Sequence, residues 1–336
     1  MQNKRIHYMD FLKFICLMCI ILAHVGPPVW IMMLRSFDVP FMVIISSILA
    51  NKSFSKYEKN NSSKFLYFFS RAKRLVIPTW IFLIIYFILL FIYTGKAETI
   101  QYYFASFCLT RYGIGYVWII LIYLYCAALI PLFAKLRLST KGICIIFLSY
   151  IIYEVAYYYK VGLTGGIAKS IIDTTFYYII PYGVLAYLGY NYYTFKRNTK
   201  YIIFSVSLII FVGLAIYYFI ATGSPQPVSI TKYPPRLYYM SYGITCSFGL
   251  LKLCENSSFI KFDNKIITYI STHSMWIYLW HILALTVYDG IGLPEIWYIK
   301  LIIVSVSSIL IVIATNKIYD YLDKKHQFSL IKYLRG

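Results

Sequence analysis

Apolar runs long enough to cross a bilayer recur from one end of this chain to the other. LVIPTWIFLIIYFILLFIYT (75–94) and YIIFSVSLIIFVGLAIYYFIA (201–221) are two of them. About twenty such residues span the hydrocarbon core as a helix, and a helix satisfies its own backbone there. Composition agrees. Of 336 residues, 60% are apolar and 13% charged, with a mean hydropathy of +0.68, whereas a soluble domain carries about 25% charged residues. A soluble chain of this size would have to hide nearly every helix on all sides, which its surface-to-volume ratio forbids. The sequence therefore predicts an all-α, polytopic transmembrane helical bundle, a single integral-membrane domain over 1–336. Its spans are expected near 9–26, 36–50, 75–94, 113–134, 143–159, 174–190, 201–221, 237–254, 266–288 and 298–316.

The net charge of +20 is a topology signal, not a nucleic-acid footprint, because the cations fall in alternate loops. The N-terminus, 51–74, 135–142, 191–200, 252–265 and the tail from Asn316 together hold 23 Lys and Arg; the opposite loops hold 8. That bias places both termini in the cytoplasm, and the excess faces anionic lipid headgroups. MQNKRIHYMD leads into an apolar run without a small-residue cleavage site, so the run reads as a retained first helix. The 37 tyrosines, often paired at span ends, suit interfacial belts. Cys16 and Cys19 form a CxxC within an apolar helix and read as packing; no metal-ligand spacing is present.

Against this background the polar residues inside spans stand out. Lys13 and His24 are eleven residues apart, which returns them to nearly one helical face about 16 Å apart along the axis. Asp10 shares that face, one turn before Lys13. Lys13 at a helix end also fits a snorkelling cation, and His24 an interfacial residue. A second histidine, His281, closes ISTHSMWIYLWH in the ninth expected span, at a depth of roughly 22 Å like that of His24. Ionisable groups inside a membrane are costly and mark function by default, and a neutral imidazole can take a proton from an alcohol. In SRAKRLVIPTW, Arg71 and Arg74 lie one turn apart before Pro78, where they either grip phosphates or serve as a positive-inside flank.

Taken together, these motifs resemble the acyltransferase-3 family of membrane O-acyltransferases, most closely its fucose 4-O-acetylase-like branch. MDFLKFICLMCIILAH matches the family's opening, with Lys13 where the family usually has Arg and His24 at its histidine. FDVPFMVIISSIL, Arg71 with Arg74, HSMWIYLWH with Tyr278 and His281, and TKYPPRLYYM follow in the family's order. The resemblance implies a multi-pass enzyme of the bacterial inner membrane. It would use acetyl-CoA as acyl donor, and no metal, for O-acetylation of a surface glycan (capsule, O-antigen) or its lipid-linked precursor.

Under that reading Arg71, Arg74 and Lys13 bind the donor, and His24 acts as general base. His281, Tyr278 or Ser274 supplies donors to the oxyanion. Lys232 and Arg236, flanking Pro234-Pro235 in an outer loop, meet a diphosphate-linked or acidic acceptor. No GxSxG serine is present, so direct transfer is expected; an acyl-histidine relay would give ping-pong kinetics. The alternative is a transporter or flippase for a polysaccharide or lipid-linked sugar, which would release no CoA.

Overall fold

The computed structural model describes residues 7–59, 64–136, 140–159, 172–256 and 264–326. Of the charges counted above, Lys4, Arg5, Arg137, Lys160, Lys169, Lys261, Lys332 and Arg335 lie outside them, as do both termini. The described residues are α-helical, with one 3₁₀ turn, Val228–Thr231, an isolated bridge between Lys232 and Pro235, and no strand. In chain order the helices are α1 (His7–Leu22), α2 (Val29–Arg35), α3 (Asp38–Lys59), α4 (Lys64–Thr94), α5 (Ile100–Phe107), α6 (Trp118–Leu136) and α7 (Thr140–Tyr158). They continue with α8 (Phe176–Asn191), α9 (Arg197–Thr222), α10 (Leu237–Asn256), α11 (Lys265–Thr272), α12 (Ser274–Gly290) and α13 (Trp297–His326).

Among the described residues, 6 stretches are long and apolar enough to cross a membrane: Val29–Lys59, Lys64–Thr94, Trp118–Leu136, Lys141–Tyr158, Arg197–Thr222 and Trp297–Leu322. The protein is an all-α, multi-pass membrane protein. The four other expected spans fall on α1, α8, α10 and the α11–α12 pair. Of these, α1 and α8 are only 16 residues long. The ninth expected span is not one helix: it breaks at His273. The run Ile270-Ser-Thr-His-Ser274 explains the break, since hydroxyl and imidazole side chains compete for backbone groups. Thr272 donates to the Thr268 carbonyl at 2.7 Å, and the His273 ring nitrogen Nδ1 meets the Tyr269 carbonyl at 2.8 Å.

The chain divides into two compact units. The first comprises Met1–Pro28, Ser70–Leu121 and Ser257–Gly336; the second comprises Val29–Phe69 and Ile122–Asn256. The boundaries thus fall inside α4 and α6.

In the first unit α1 packs on α11, α12 and α13 through Met9, Leu12, Cys16, Leu17, Ile20 and Ile21, all buried. Cys16, buried among them, and Cys19 form no disulfide. The Ser70–Thr94 part of α4 runs alongside α12 in the same direction. Phe82 packs edge-on against Trp280 (5.8 Å), Tyr86 bonds Thr286 at 3.2 Å, and Tyr93 donates to the Gly290 carbonyl at 2.6 Å.

In the second unit α3 packs on α8 and α10, α7 on α8, and α9 on α10. A side chain at Gly189 would collide with the Ile44 backbone, so only glycine allows α8 this close to α3. Two of the ion pairs in this unit fix the turns between helices. Arg35 Nη1 reaches Asp38 Oδ2 at 2.5 Å, both residues buried, across the α2–α3 corner. Arg236 donates through Nε (3.0 Å) and Nη2 (2.8 Å) to Glu154 Oε2, while the Leu237 amide donates to Glu154 Oε1 at 3.0 Å. Glu154 on α7 therefore caps the start of α10, where the helix dipole favours a carboxylate.

Candidate functional site

α1 lies parallel to the broken α11–α12 pair, and its polar residues meet that pair at two levels. At the first, Ser271 Oγ donates to Asp10 Oδ1 at 2.7 Å, and Lys13 Nζ donates to the Ser271 carbonyl at 3.2 Å while lying 3.9 Å from Asp10 Oδ1. The break after Thr272 leaves carbonyls at the end of α11 without a helical partner, and a lysine at a helix C-terminus complements the dipole. Asp10 and Lys13 thus tie α1 to the α11 terminus.

At the second level His24 Nδ1 lies 3.1 Å from His281 Nε2. The rings are stacked, with centroids 5.2 Å apart and planes 22° apart. His281 is fully buried and His24 half-buried. His24 meets the same α11–α12 pair as Lys13, but from beyond the end of α1. α1 ends at Leu22 because Pro27 and Pro28 cannot continue it. His24 is carried by the tightened turn that follows, its amide on the Ile21 carbonyl at 2.9 Å.

The tautomers of the pair follow from one neighbour. His281 Nδ1 bonds the Tyr278 carbonyl of its own helix, and a carbonyl only accepts, so Nδ1 carries the proton. In the neutral ring Nε2 is then the acceptor, and His24 Nδ1 must be the donor in the 3.1 Å bond. The neutral His24 ring therefore has its lone pair on Nε2. A ring held in that tautomer is arranged to accept a proton through the nitrogen that faces away from His281.

Tyr116, which the sequence did not single out, completes the cluster. Its ring meets His24 edge-on at 4.8 Å and 90°, and lies 6.4 Å from the His281 ring. It sits in the turn before α6, not within a span, and that turn is pinned. The Ile114 amide donates to Ser106 Oγ at 2.9 Å, Tyr278 Oη donates to the Tyr116 carbonyl at 2.5 Å, and a Cβ at Gly113 would run into Ser106. Burial, and then the neighbouring Tyr86 and Asp289, push the Tyr116 phenol up, so it stays a protonated donor. One tyrosine among 37 carries no spacing that marks it; only the fold brings it to the histidines.

The other expected residues lie apart from this cluster or serve other contacts. Tyr278 is buried, and its hydroxyl is engaged with the Tyr116 carbonyl, which makes it a support for the turn. Ser274, at the start of α12, lies seven residues or about 10 Å along the axis before His281, too far for a donor at the same carbonyl. Arg71, half-buried, and Arg74, exposed, share one stretch of α4. Arg71 precedes Phe82, the neighbour of Trp280, by eleven residues, about 16 Å along the helix. Lys232 is buried with its Nζ 5.2 Å from the Tyr233 ring centroid, and Arg236 is held by Glu154 and by the Tyr157 ring at 4.2 Å.

A family model, that of the acyltransferase domain of the acyltransferase-3 family, matches residues 6–317. No curated protein and no solved structure matches the chain.

Proposed function

Because the chain belongs to the acyltransferase-3 family and is a membrane acyltransferase, we propose that it moves an acetyl group from cytoplasmic acetyl-CoA to a hydroxyl of a surface glycan or its lipid-linked precursor in the bacterial inner membrane. The observation that carries this reading is the hydrogen-bond chain from the Tyr278 carbonyl through His281 to His24. It leaves His24 Nε2 as the base. His24 Nε2 takes the proton of the acceptor hydroxyl as its oxygen attacks the thioester carbonyl. The tetrahedral oxyanion receives a hydrogen bond from Tyr116 Oη. Collapse breaks the carbon–sulfur bond, and the departing CoA sulfur takes the proton back from His24. The acetyl ester and free CoA are the products, and His24 returns to its starting tautomer. His281 positions His24 and does not touch substrate.

The donor would enter from the basic end of α4. Arg71 and Arg74 hold its phosphates, and the pantetheine arm covers the roughly 16 Å that separate Arg71 from the level of Phe82 and Trp280. Lys13 closes the α1–α11 side of that route. For the acceptor, Lys232 and Arg236 remain the cations proposed to meet a diphosphate or an acidic sugar; Arg236 has a second task in holding Glu154.

The test is glycan analysis of cells lacking the protein, complemented by wild type or by His24→Ala, together with CoA release from acetyl-CoA by the purified proteins. Acetyl ester should return only with wild type. Equal restoration by both would remove His24 from the reaction. No CoA release by wild type with its acceptor present would remove the acyl-CoA donor. Label from radiolabelled acetyl-CoA retained on His24 in the absence of acceptor would replace direct transfer by an acyl-histidine relay.

A further inference from the structure

Within the second unit, the start of α9 and the end of α10 enclose a groove of about 330 Å³. Its apolar lining includes Phe204, Phe248 and Gly249, and Arg197, Lys200 and Lys252 also border it. The basic side chains gather around aromatic rings. Lys200 Nζ lies 3.8 Å from the Tyr192 ring centroid, and Arg197 and Lys252 approach the Tyr201 ring at 5.7 and 5.5 Å. Lys200 also pairs with Glu255 at 3.5 Å, so three cations and one carboxylate leave the groove with two net positive charges.

α9 itself points to what covers this groove. It is one of the helices long and apolar enough to cross a membrane, yet only 6% of its most apolar stretch is buried by protein. The rest requires hydrocarbon. The groove therefore opens at the end of a lipid-facing helix, with cations at the helix ends, where headgroups lie. A soluble phosphate would leave the Phe204–Phe248 lining bare, and a zwitterionic lipid would set its ammonium against a positive border.

We propose that this groove is a binding site for an anionic phospholipid, its phosphate on Arg197, Lys200 and Lys252 and one acyl chain laid between Phe204 and Phe248. None of these residues belongs to the acyl-transfer site, so the site is independent of the reaction assigned above.

Native mass spectrometry of the full chain tests it, with phosphatidylglycerol and phosphatidylcholine of identical acyl chains as probes. The wild type should retain phosphatidylglycerol roughly thirtyfold more strongly, as expected for two unbalanced cations near a headgroup. Arg197→Gln with Lys252→Gln should bring that preference close to one. Gly249→Leu should lower retention of both lipids while leaving the charges in place: a Cβ there meets Phe204 Cε2 at 3.4 Å, an ordinary contact, and the rest of the side chain fills the groove. Equal retention of the two lipids by the wild type, or a preference that survives the double variant, would overturn the proposal. Displacement of phosphatidylglycerol by millimolar inorganic phosphate would also overturn it, since the groove would then hold a soluble anion. Thermal unfolding of each variant separates loss of lipid from loss of fold.

Discussion

The arginine–carboxylate pairs of the second unit and the histidine pair of the first are polar contacts of different kinds. Arg35 with Asp38, and Arg236 with Glu154, are closed pairs, the latter also capping α10. The Asp38 carboxylate faces its guanidinium in low dielectric, where breaking a pair costs far more than the pair contributes, while the Arg236–Glu154 pair is half-buried. In the first unit the histidine pair is asymmetric. One ring is fully buried and fixed by a backbone carbonyl, and the other is half-buried with its lone pair directed away from its partner. A closed ion pair holds helices together, whereas a neutral imidazole can take a proton.

Variants of both kinds sharpen that contrast. The largest effect is expected from His24→Ala, which should lower kcat by about 10³-fold or more with little change in unfolding temperature, since it removes a general base from a half-buried turn. Measured stability loss with normal turnover would put His24 among the structural residues. Tyr116→Phe should follow, with kcat down about 10²-fold and KM little changed, as for loss of one oxyanion donor; an unchanged kcat would return Tyr116 to packing. Glu154→Gln should act through the fold instead, costing on the order of 2 kcal/mol by leaving Arg236 half-buried without its partner. Turnover per folded molecule should not change, and a raised acceptor KM at full stability would show that Arg236 works at the acceptor. The smallest effect belongs to Ser271→Ala, about 1.5 kcal/mol for one hydrogen bond to the buried Asp10 carboxyl, read by denaturant or thermal unfolding.

How much of this was legible beforehand varies by residue. The all-α membrane class was plain in runs such as 75–94 and 201–221, because an unbroken apolar run of that length satisfies its backbone in hydrocarbon as a helix, whereas barrel strands are shorter and alternate. His24 and His281 stood out for a similar reason: an imidazole among apolar residues is expensive and conspicuous. Lys13 and Asp10 were equally conspicuous, yet their side chains serve the α1–α11 contact. A polar outlier in a span announces that it has a partner, without saying whether the partner is protein or substrate. The continuous ninth span failed where local hydroxyl and imidazole side chains diverted the backbone at His273. Arg236 read as an outward cation because Glu154, its partner, lies 82 residues away.

By itself, then, the sequence determined the solvent of this protein and its few misfit side chains, since both follow from the free energy of moving groups out of water, which each residue carries locally. Only the tertiary structure decided the pairing: that Tyr278 offers a carbonyl to His281, that His281 meets Nδ1 of His24, and that a pinned turn brings Tyr116 to its edge. Hydrogen bonds and ring contacts depend on direction and on distances of a few ångströms between segments far apart in the chain, and no local pattern of residues encodes those.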